Sequence, residues 1–265
     1  MVKIIERVYL LLRNVILLLN SMSETKIEWT DKTWNPVTGC TKKSEGCLHC
    51  YAEVMARRLK GMGQIKYKNA FKLTIHPECL DEPKMWTKPH NIFVCSMGDL
   101  FHEKVSFEFI DRVMETITAT PQHRYQILTK RPERLYKYFT LHKVPQNVWL
   151  GTTVESQKNK YRIDFLRELE APVKFLSCEP LIEDLQELNL NGINWVIVGG
   201  ESGMQARPMQ EQWVINIKNQ CLEKDIAFFF KQWGTWGQDG IKRNKHANGK
   251  LLQGEIIQQM PIEWS

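Results

Sequence analysis

Short apolar runs rich in Val, Ile, Phe and Leu recur at 92–95, 125–128, 148–151, 173–176, 195–198 and 226–230, and helical patterns fill most of the gaps between them. No other feature constrains the fold as much. Runs that are apolar throughout, rather than at every second position, mark strands buried on both faces, as in a helix-covered parallel sheet. Residues 27–30 read as one further strand ahead of them. The expected architecture is α/β: a full or partial (β/α) barrel of six to seven parallel strands, with a doubly wound open sheet as the alternative. Ser106 is placed to cap a helix with Phe107, Ile110, Val113, Met114 and Ile117 on one face, and Pro132 suits the first turn of a helix over 131–141. Residues 161–169 and 213–222 supply two more helical patterns. The stretch 61–91, punctuated by Gly61, Gly63, Pro77, Pro83 and Pro89, reads as an irregular excursion.

In such folds the chemistry gathers at the carboxyl ends of the strands. Here the runs are followed by Ser96-Met97-Gly98-Asp99, by Thr129-Lys130-Arg131 and by Thr152-Thr153 with Glu155. Ser177-Cys178-Glu179-Pro180, Gly199-Gly200-Glu201-Ser202-Gly203 and Lys231-Gln232-Trp233-Gly234 follow the later ones. Singly, these read as helix caps, helix-end cations and turns. Together they predict one polar mouth with four acids (Asp99, Glu155, Glu179, Glu201) and two cations (Lys130, Lys231). The Gly-Gly turn lets backbone amides approach a ligand, but its spacing is not G-x-G-x-x-G, and dinucleotide binding of the Rossmann type fits poorly.

The stretch 30–56, TDKTWNPVTGCTKKSEGCLHCYAEVMA, sets Cys40, Cys47 and Cys50 in one loop with spacing C-x6-C-x2-C. A helical pattern follows at once, with Tyr51, Val54, Met55 and Leu59 at helical spacing. Three clustered thiolates suit a soft metal centre, and a [4Fe–4S] cluster on three cysteines keeps one iron open for a non-protein ligand. Zinc completed by His49 or Cys79 is a second reading, and inert thiols a third. A disulfide fits less well, since no secretory signal is evident and three close cysteines suit a reducing compartment. Cys79, Cys95, Cys178 and Cys221 are expected to be dispensable, with Cys178, at a strand end, as the exception to watch.

With 265 residues, 43% of them hydrophobic and 25% charged, the chain can bury the core of one large α/β domain. A net charge of +6 is compatible with a phosphate-bearing or nucleic-acid substrate without establishing one. Nine Trp is a high number; Trp34, Trp86, Trp149, Trp195, Trp233 and Trp236 fall near strand or loop ends, where core packing is the ordinary use and lining a pocket the alternative. Residues 1–21 are apolar but carry Lys3, Glu6, Arg7 and Arg13. Their apolar run is well short of the roughly 20 residues of a spanning helix, so no transmembrane segment and a cytoplasmic location are expected. The expected division is an N-terminal extension over 1–21, a β/α barrel over 22–237 and a C-terminal extension over 238–265.

The segments IEWTDKTWNPVTGC, SMGDLFHE, LTKRPERL, NVWLGTTVES, FLSCEPL, WVIVGGESGMQARPM and FFKQWG resemble a phage-associated, three-cysteine, radical-SAM-like family described as a domain of unknown function. The resemblance runs from about Ile27 to Pro261. It implies a partial, radical-SAM-like β/α barrel holding a [4Fe–4S] cluster on Cys40, Cys47 and Cys50, with S-adenosylmethionine on the open iron. One electron then cleaves the sulfonium to methionine and a 5′-deoxyadenosyl radical. The spacing departs from the C-x3-C-x2-C usual in radical-SAM enzymes. Ser96, Gly98 and Asp99 stand where such enzymes grip the methionine amino group, Asp99 being the acid for the ammonium. Thr153 and the turn Gly199, Gly200, Glu201 and Ser202 are expected on the adenosyl side. Lys130, Glu155, Glu179 and Lys231 are the candidates to orient the substrate, a nucleobase, nucleotide or nucleic acid. Reduction calls for an electron donor, and a separate partner protein is a further expectation. The alternative is a zinc- or cluster-containing nucleic-acid-binding or regulatory protein without radical chemistry, against which the acidic strand ends argue.

Overall fold

The computed structural model describes residues 25–261, so the expectations for 1–21 lie outside the described residues. In chain order, β1 (Lys32–Trp34) and β2 (Val37–Thr38) lead through the cysteine loop to helix α1 (Tyr51–Gly61). β3 (Thr74–Ile75) pairs antiparallel with β2 inside the irregular excursion, which otherwise holds only single turns of 3-10 helix. Then β4 (Asn91–Val94), α2 (Phe107–Thr118), β5 (Arg124–Thr129), α3 (Pro132–Phe139) and β6 (Val148–Thr153) alternate. They are followed by α4 (Arg162–Arg167), β7 (Val173–Cys178), β8 (Trp195–Gly199), α5 (Glu211–Glu223), β9 (Ala227–Gln232) and the short α6 (Lys245–Asn248).

Among the described residues the main sheet has seven strands in the order β1-β4-β5-β6-β7-β8-β9, every neighbouring pair parallel. Sequential order excludes the doubly wound alternative, which needs a reversal of strand order. The side chains agree, because the buried residues of α2, α3, α4 and α5 join a single core with one face of the sheet. The sheet is therefore wound one way, with helices outside: a curled, open half-barrel. The first strand begins five residues later than expected. Residues 27–30 form a turn, and Lys32–Trp34 pairs with β4 instead.

Alternation along each strand sorts the core into two layers. Ile92, Val94, Tyr125, Ile127, Val148, Leu150, Leu176, Val196, Val198, Phe228 and Phe230 face the helices. Their neighbours Phe93, Trp149, Phe175, Trp195 and Phe229 point to the concave side and stack with Trp29 as a plug of large rings. Trp195 meets Trp29, Trp149 and Phe229 edge-on with centroids 5.9–6.0 Å apart, a favoured aromatic geometry. The buried tryptophans are thus mostly core, as their ordinary use suggests. Cys178 lies on the helix-covered face and is fully buried, so its position at a strand end does not bring it to the mouth.

One local expectation holds and one changes. Ser106 caps α2 by accepting from the Phe109 amide, as its position suggested. In α1, however, Tyr51, Val54 and Met55 are exposed, and the buried positions are Ala52 and Ala56. Two small residues let this helix approach Tyr67 and Met97 closely. The tail after residue 237 is tied to the sheet edge: Phe230 donates its amide to Ile257, Gln259 donates to Phe228, and Leu252 is fully buried. Among the described residues no helix is long and apolar enough to cross a membrane.

Inside the half-barrel a Cβ added to Gly151 would lie 2.4 Å from the Phe175 ring. Gly151→Ala is expected to cost about 1–3 kcal/mol by overpacking, seen as a lower denaturant midpoint at constant slope. Phe175→Leu in the same chain should recover part of the loss, and an unchanged midpoint in the single variant would refute the packing assignment.

Candidate functional site

The cysteine loop leaves β2 and crosses the carboxyl ends of the strands. Its start is stitched to the end of β4, where the Gly39 amide donates to the Met97 carbonyl at 2.8 Å and Gly39 bridges Gly98. A Cβ on Gly98 would come within 2.9 Å of the Val37 carbonyl, so the backbones touch here because no side chain intervenes. Ser96 donates to the Asn35 side chain, and its carbonyl accepts from the Tyr51 hydroxyl at the start of α1.

Two buried charged side chains then hold the loop down. Arg131, at the end of β5, donates from Nε to Glu103 (2.9 Å) and from Nη1 to Asp99 (2.9 Å) and to Cys40 Sγ (3.4 Å). Its Nη2 donates to the carbonyl and the hydroxyl of Thr41 at 3.1 and 3.0 Å. His102 accepts at Nδ1 from the Lys104 amide, so its Nε2–H is the donor to Thr41 Oγ1 (3.0 Å). Glu155, beyond β6, accepts from Ser44 of the loop, from Lys130 Nζ (3.4 Å) and from Arg162 Nη1 (2.9 Å). A Cβ on Gly46 would lie 2.7 Å from the Glu155 side chain, so the loop rests directly on this acid. Burial by itself would raise the Glu155 pKa; Lys130, Arg162 and the Ser44 hydroxyl outweigh it and hold the carboxyl below its ordinary value.

Cys40, Cys47 and Cys50 are free thiols, each partly exposed. Among the described residues no three His, Cys, Asp or Glu side chains are already gathered as a metal site, so metal binding requires the loop's thiols to turn toward one another. The donor set itself, three thiols with an N–H donor on one sulfur, fits a soft metal centre. Burial pushes the Cys40 thiol up to about 12, Asp99 adding to the rise and Arg131 opposing it, and burial likewise raises Cys50. Metal uptake here would displace protons. Cys79, a candidate fourth zinc ligand, is buried with Lys66 Nζ at 3.1 Å from its sulfur. His49 is partly exposed beside the loop.

Continuing each strand's alternation past its end carries Lys130, Glu155, Glu179 and Lys231 to the concave side, above the aromatic plug. They form two pairs: Lys130 with Glu155, and Lys231 with Glu179 at 2.8 Å to both carboxylate oxygens. Lys231 and Glu179 keep 20% and 22% of their side-chain surface exposed, enough to meet a ligand. Thr153 is buried, and its carbonyl accepts from Arg162. In the turn after β8, Gly199 lies against the Glu179 carboxyl and Gly200 packs onto the Trp233 carbonyl. Glu201 is buried and takes three hydrogen bonds from Arg207 between 2.6 and 2.8 Å, while Ser202 accepts from Gln232.

Two expectations need correcting. Asp99 is buried and already accepts from Phe101 N, Thr129 Oγ1, Lys130 N and Arg131 Nη1. Its oxygens are committed, so it positions backbone and Arg131 rather than gripping an incoming ammonium. Nor is the mouth acidic. Asp99, Glu155, Glu179 and Glu201 each have a cation beside them: Arg131, at the end of its run, Lys231, and the arginines 162 and 207 that sequence reading did not place in the site.

Residues 24–261 match a family described as a protein of unknown function, DUF5131. The chain belongs to the DUF5131 family. No curated protein matches it. Among solved structures it is similar to spore photoproduct lyase, in a mutant with a TM-score of 0.46 and 11% identity over 67% of this chain and 58% of that one. A form complexed with dinucleoside spore photoproduct gives 0.44 and 10% over 74% and 62%. A mutant with bound AdoMet and dinucleoside spore photoproduct gives 0.43 and 11% over 66% and 57%. The DUF5131 chain thus spans 57% to 62% of those proteins' length, and a likeness of this degree says nothing about its chemistry.

Glu155 generates a pH prediction. With its folded pKa lowered, it contributes stability that is full above the ordinary glutamate value of about 4.3 and is lost as pH falls through the folded value. Glu155→Gln should cost about 3–5 kcal/mol at pH 7 by leaving buried cations unpaired, with the gap to wild type narrowing as pH falls toward the acid limb. Parallel denaturation curves of the two proteins across that range test this; a constant gap contradicts it.

Proposed function

We propose that this chain is a radical S-adenosylmethionine enzyme, with Cys40, Cys47 and Cys50 as the ligands of a [4Fe–4S] cluster. The supporting observation is that a loop with three free, half-buried thiols is pinned over the strand ends of a one-way-wound half-barrel by Arg131 and Glu155. A cluster held by these three thiols would supply the electron that cleaves S-adenosylmethionine to methionine and a 5′-deoxyadenosyl radical.

The chain's own residues have separable tasks in this reading. Arg131 anchors the loop and donates to the Cys40 sulfur, a hydrogen bond of the kind that tunes a thiolate-held metal. Asp99 fixes Arg131 and the backbone at Phe101 and Lys130, while Ser96 and Gly98 stay as cofactor contacts beside the loop. Thr153, Gly199, Gly200, Glu201 and Ser202 form the opposite wall, with Glu201 held by Arg207. The pair Lys231–Glu179 presents both charges to a substrate and Lys130 presents its ammonium, while Glu155 stays fully buried beneath the loop. The plug of Trp29, Phe93, Trp149, Phe175, Trp195 and Phe229 keeps water from the far side. The electron comes from a separate donor.

Anaerobic reconstitution tests the reading. Wild type should carry iron and sulfide, show a broad visible band that dithionite bleaches, and with S-adenosylmethionine form 5′-deoxyadenosine slowly without any substrate. Alanine at any of the three cysteines should abolish the product, whereas Lys231→Ala should largely spare it. Stoichiometric zinc without iron would replace the reading with a zinc-bound nucleic-acid-binding or regulatory protein. A full, reducible cluster that yields no 5′-deoxyadenosine would leave a cluster protein without radical chemistry.

A further inference from the structure

On the outer side of the cysteine loop lies a groove of about 690 Å³ that runs up to Cys40. Its walls are the loop itself, one stripe of α1, the segment 69–73 before β3 and the turn after β4. The lining carries five cations, Lys42, Arg57, Lys60, Lys72 and Lys104, against one acid, Glu53. All five are exposed. Glu53 is shared by Arg57 at 2.6 Å and Lys42 at 3.8 Å, and among the described residues no carboxylate lies within 4.0 Å of the ammonium groups of Lys60, Lys72 or Lys104.

Elsewhere the exposed cations Lys158, Lys84 and Arg243 each stand within 3 Å of a carboxylate. Others, such as Lys137 and Lys143, are exposed with no carboxylate within 4.0 Å among the described residues; what distinguishes the groove is that it gathers five cations in one concavity, where like charges raise a positive potential that favours a polyanion. The arrangement is built into the fold. Glu53, Arg57 and Lys60 recur at i, i+4 and i+7, one face of α1. Segment 69–73 is locked to the loop: the Cys40 amide donates to the Phe71 carbonyl, and a Cβ on Gly39 would sit 2.3 Å from the Lys72 carbonyl. Phe71, half-buried, and Asn69 add a ring and an amide among the cations.

We infer that this groove binds a single-stranded nucleic acid, phosphates on the lysines and Arg57 and a base against Phe71. Alternating cations and an aromatic face are what a strand with charged backbone and stacking bases requires. The volume is in the range of a drug-sized ligand, room for a nucleotide or two and too little for a duplex. A membrane surface is planar and does not enter a concave groove. As the substrate class for the chemistry proposed above, nucleic acid rests on that reading, because the groove ends at Cys40; the binding itself does not.

The test uses full-length, metal-free protein and a fluorescein-labelled oligonucleotide followed by anisotropy over a salt series. Wild type should bind with an affinity that falls by about 0.7 log units per log unit of salt for each phosphate contact. Lys60→Ala, Lys72→Ala and Lys104→Ala together should lower that slope by about 2 and weaken low-salt binding at least tenfold. Three alanines at Lys137, Lys143 and Lys224, outside the groove, should change neither. Phe71→Leu should weaken binding without altering the slope. An unchanged slope in the groove variant, equal losses in the control, or preference for duplex DNA or polyglutamate over the single strand would overturn the inference. Binding that persists in protein unable to form 5′-deoxyadenosine would sink the radical reading alone, and 5′-deoxyadenosine formation without binding would sink the groove alone.

Discussion

The guanidinium of Arg131 is the joint between the cysteine loop and the barrel. All five of its N–H donors have an acceptor: Glu103, Asp99, the Cys40 sulfur, and the carbonyl and hydroxyl of Thr41. A buried cation is tolerable only when paired and fully hydrogen-bonded, and this one is. Lysine could not replace it, since a three-donor ammonium cannot span two carboxylates, a thiol and a backbone carbonyl at once. The loop thereby borrows the rigidity of β5, which lies in the interior of the sheet.

Glu155 does for the second half of the loop what Arg131 does for the first, with opposite charge. It sits under Gly46 and holds Ser44, while Lys130 and Arg162 keep it ionised. A loop with little regular structure between residues 39 and 50 is thus fixed at both ends by charges that belong to consecutive strands. Such support from outside the loop holds its backbone in place where secondary structure does not.

Much of this was legible in the chain. The apolar runs located six strands because strands buried on both faces leave an unbroken signal, and the polar residues after each run marked the mouth. The same period of two, continued beyond the strand ends, accounts for Lys130, Glu155, Glu179 and Lys231 sharing the concave side. Partners were not legible. Arg162 comes from a helix and Arg207 from a loop, and nothing in their local sequence says which acid they reach, so an evenly paired mouth read as an acidic one. Asp99 read as a free carboxylate for the same reason. The stripe on α1 misled because alanine carries little hydrophobic weight, although Ala52 and Ala56 are what let the helix sit close.

The aromatic plug has a consequence for traffic. Trp29 and five strand residues fill the lower half of the concave side, so the half-barrel is closed at that end. Anything that is to reach those six rings has to come and go past the carboxyl ends of the strands, under the cysteine loop, because packed side chains bar every other approach.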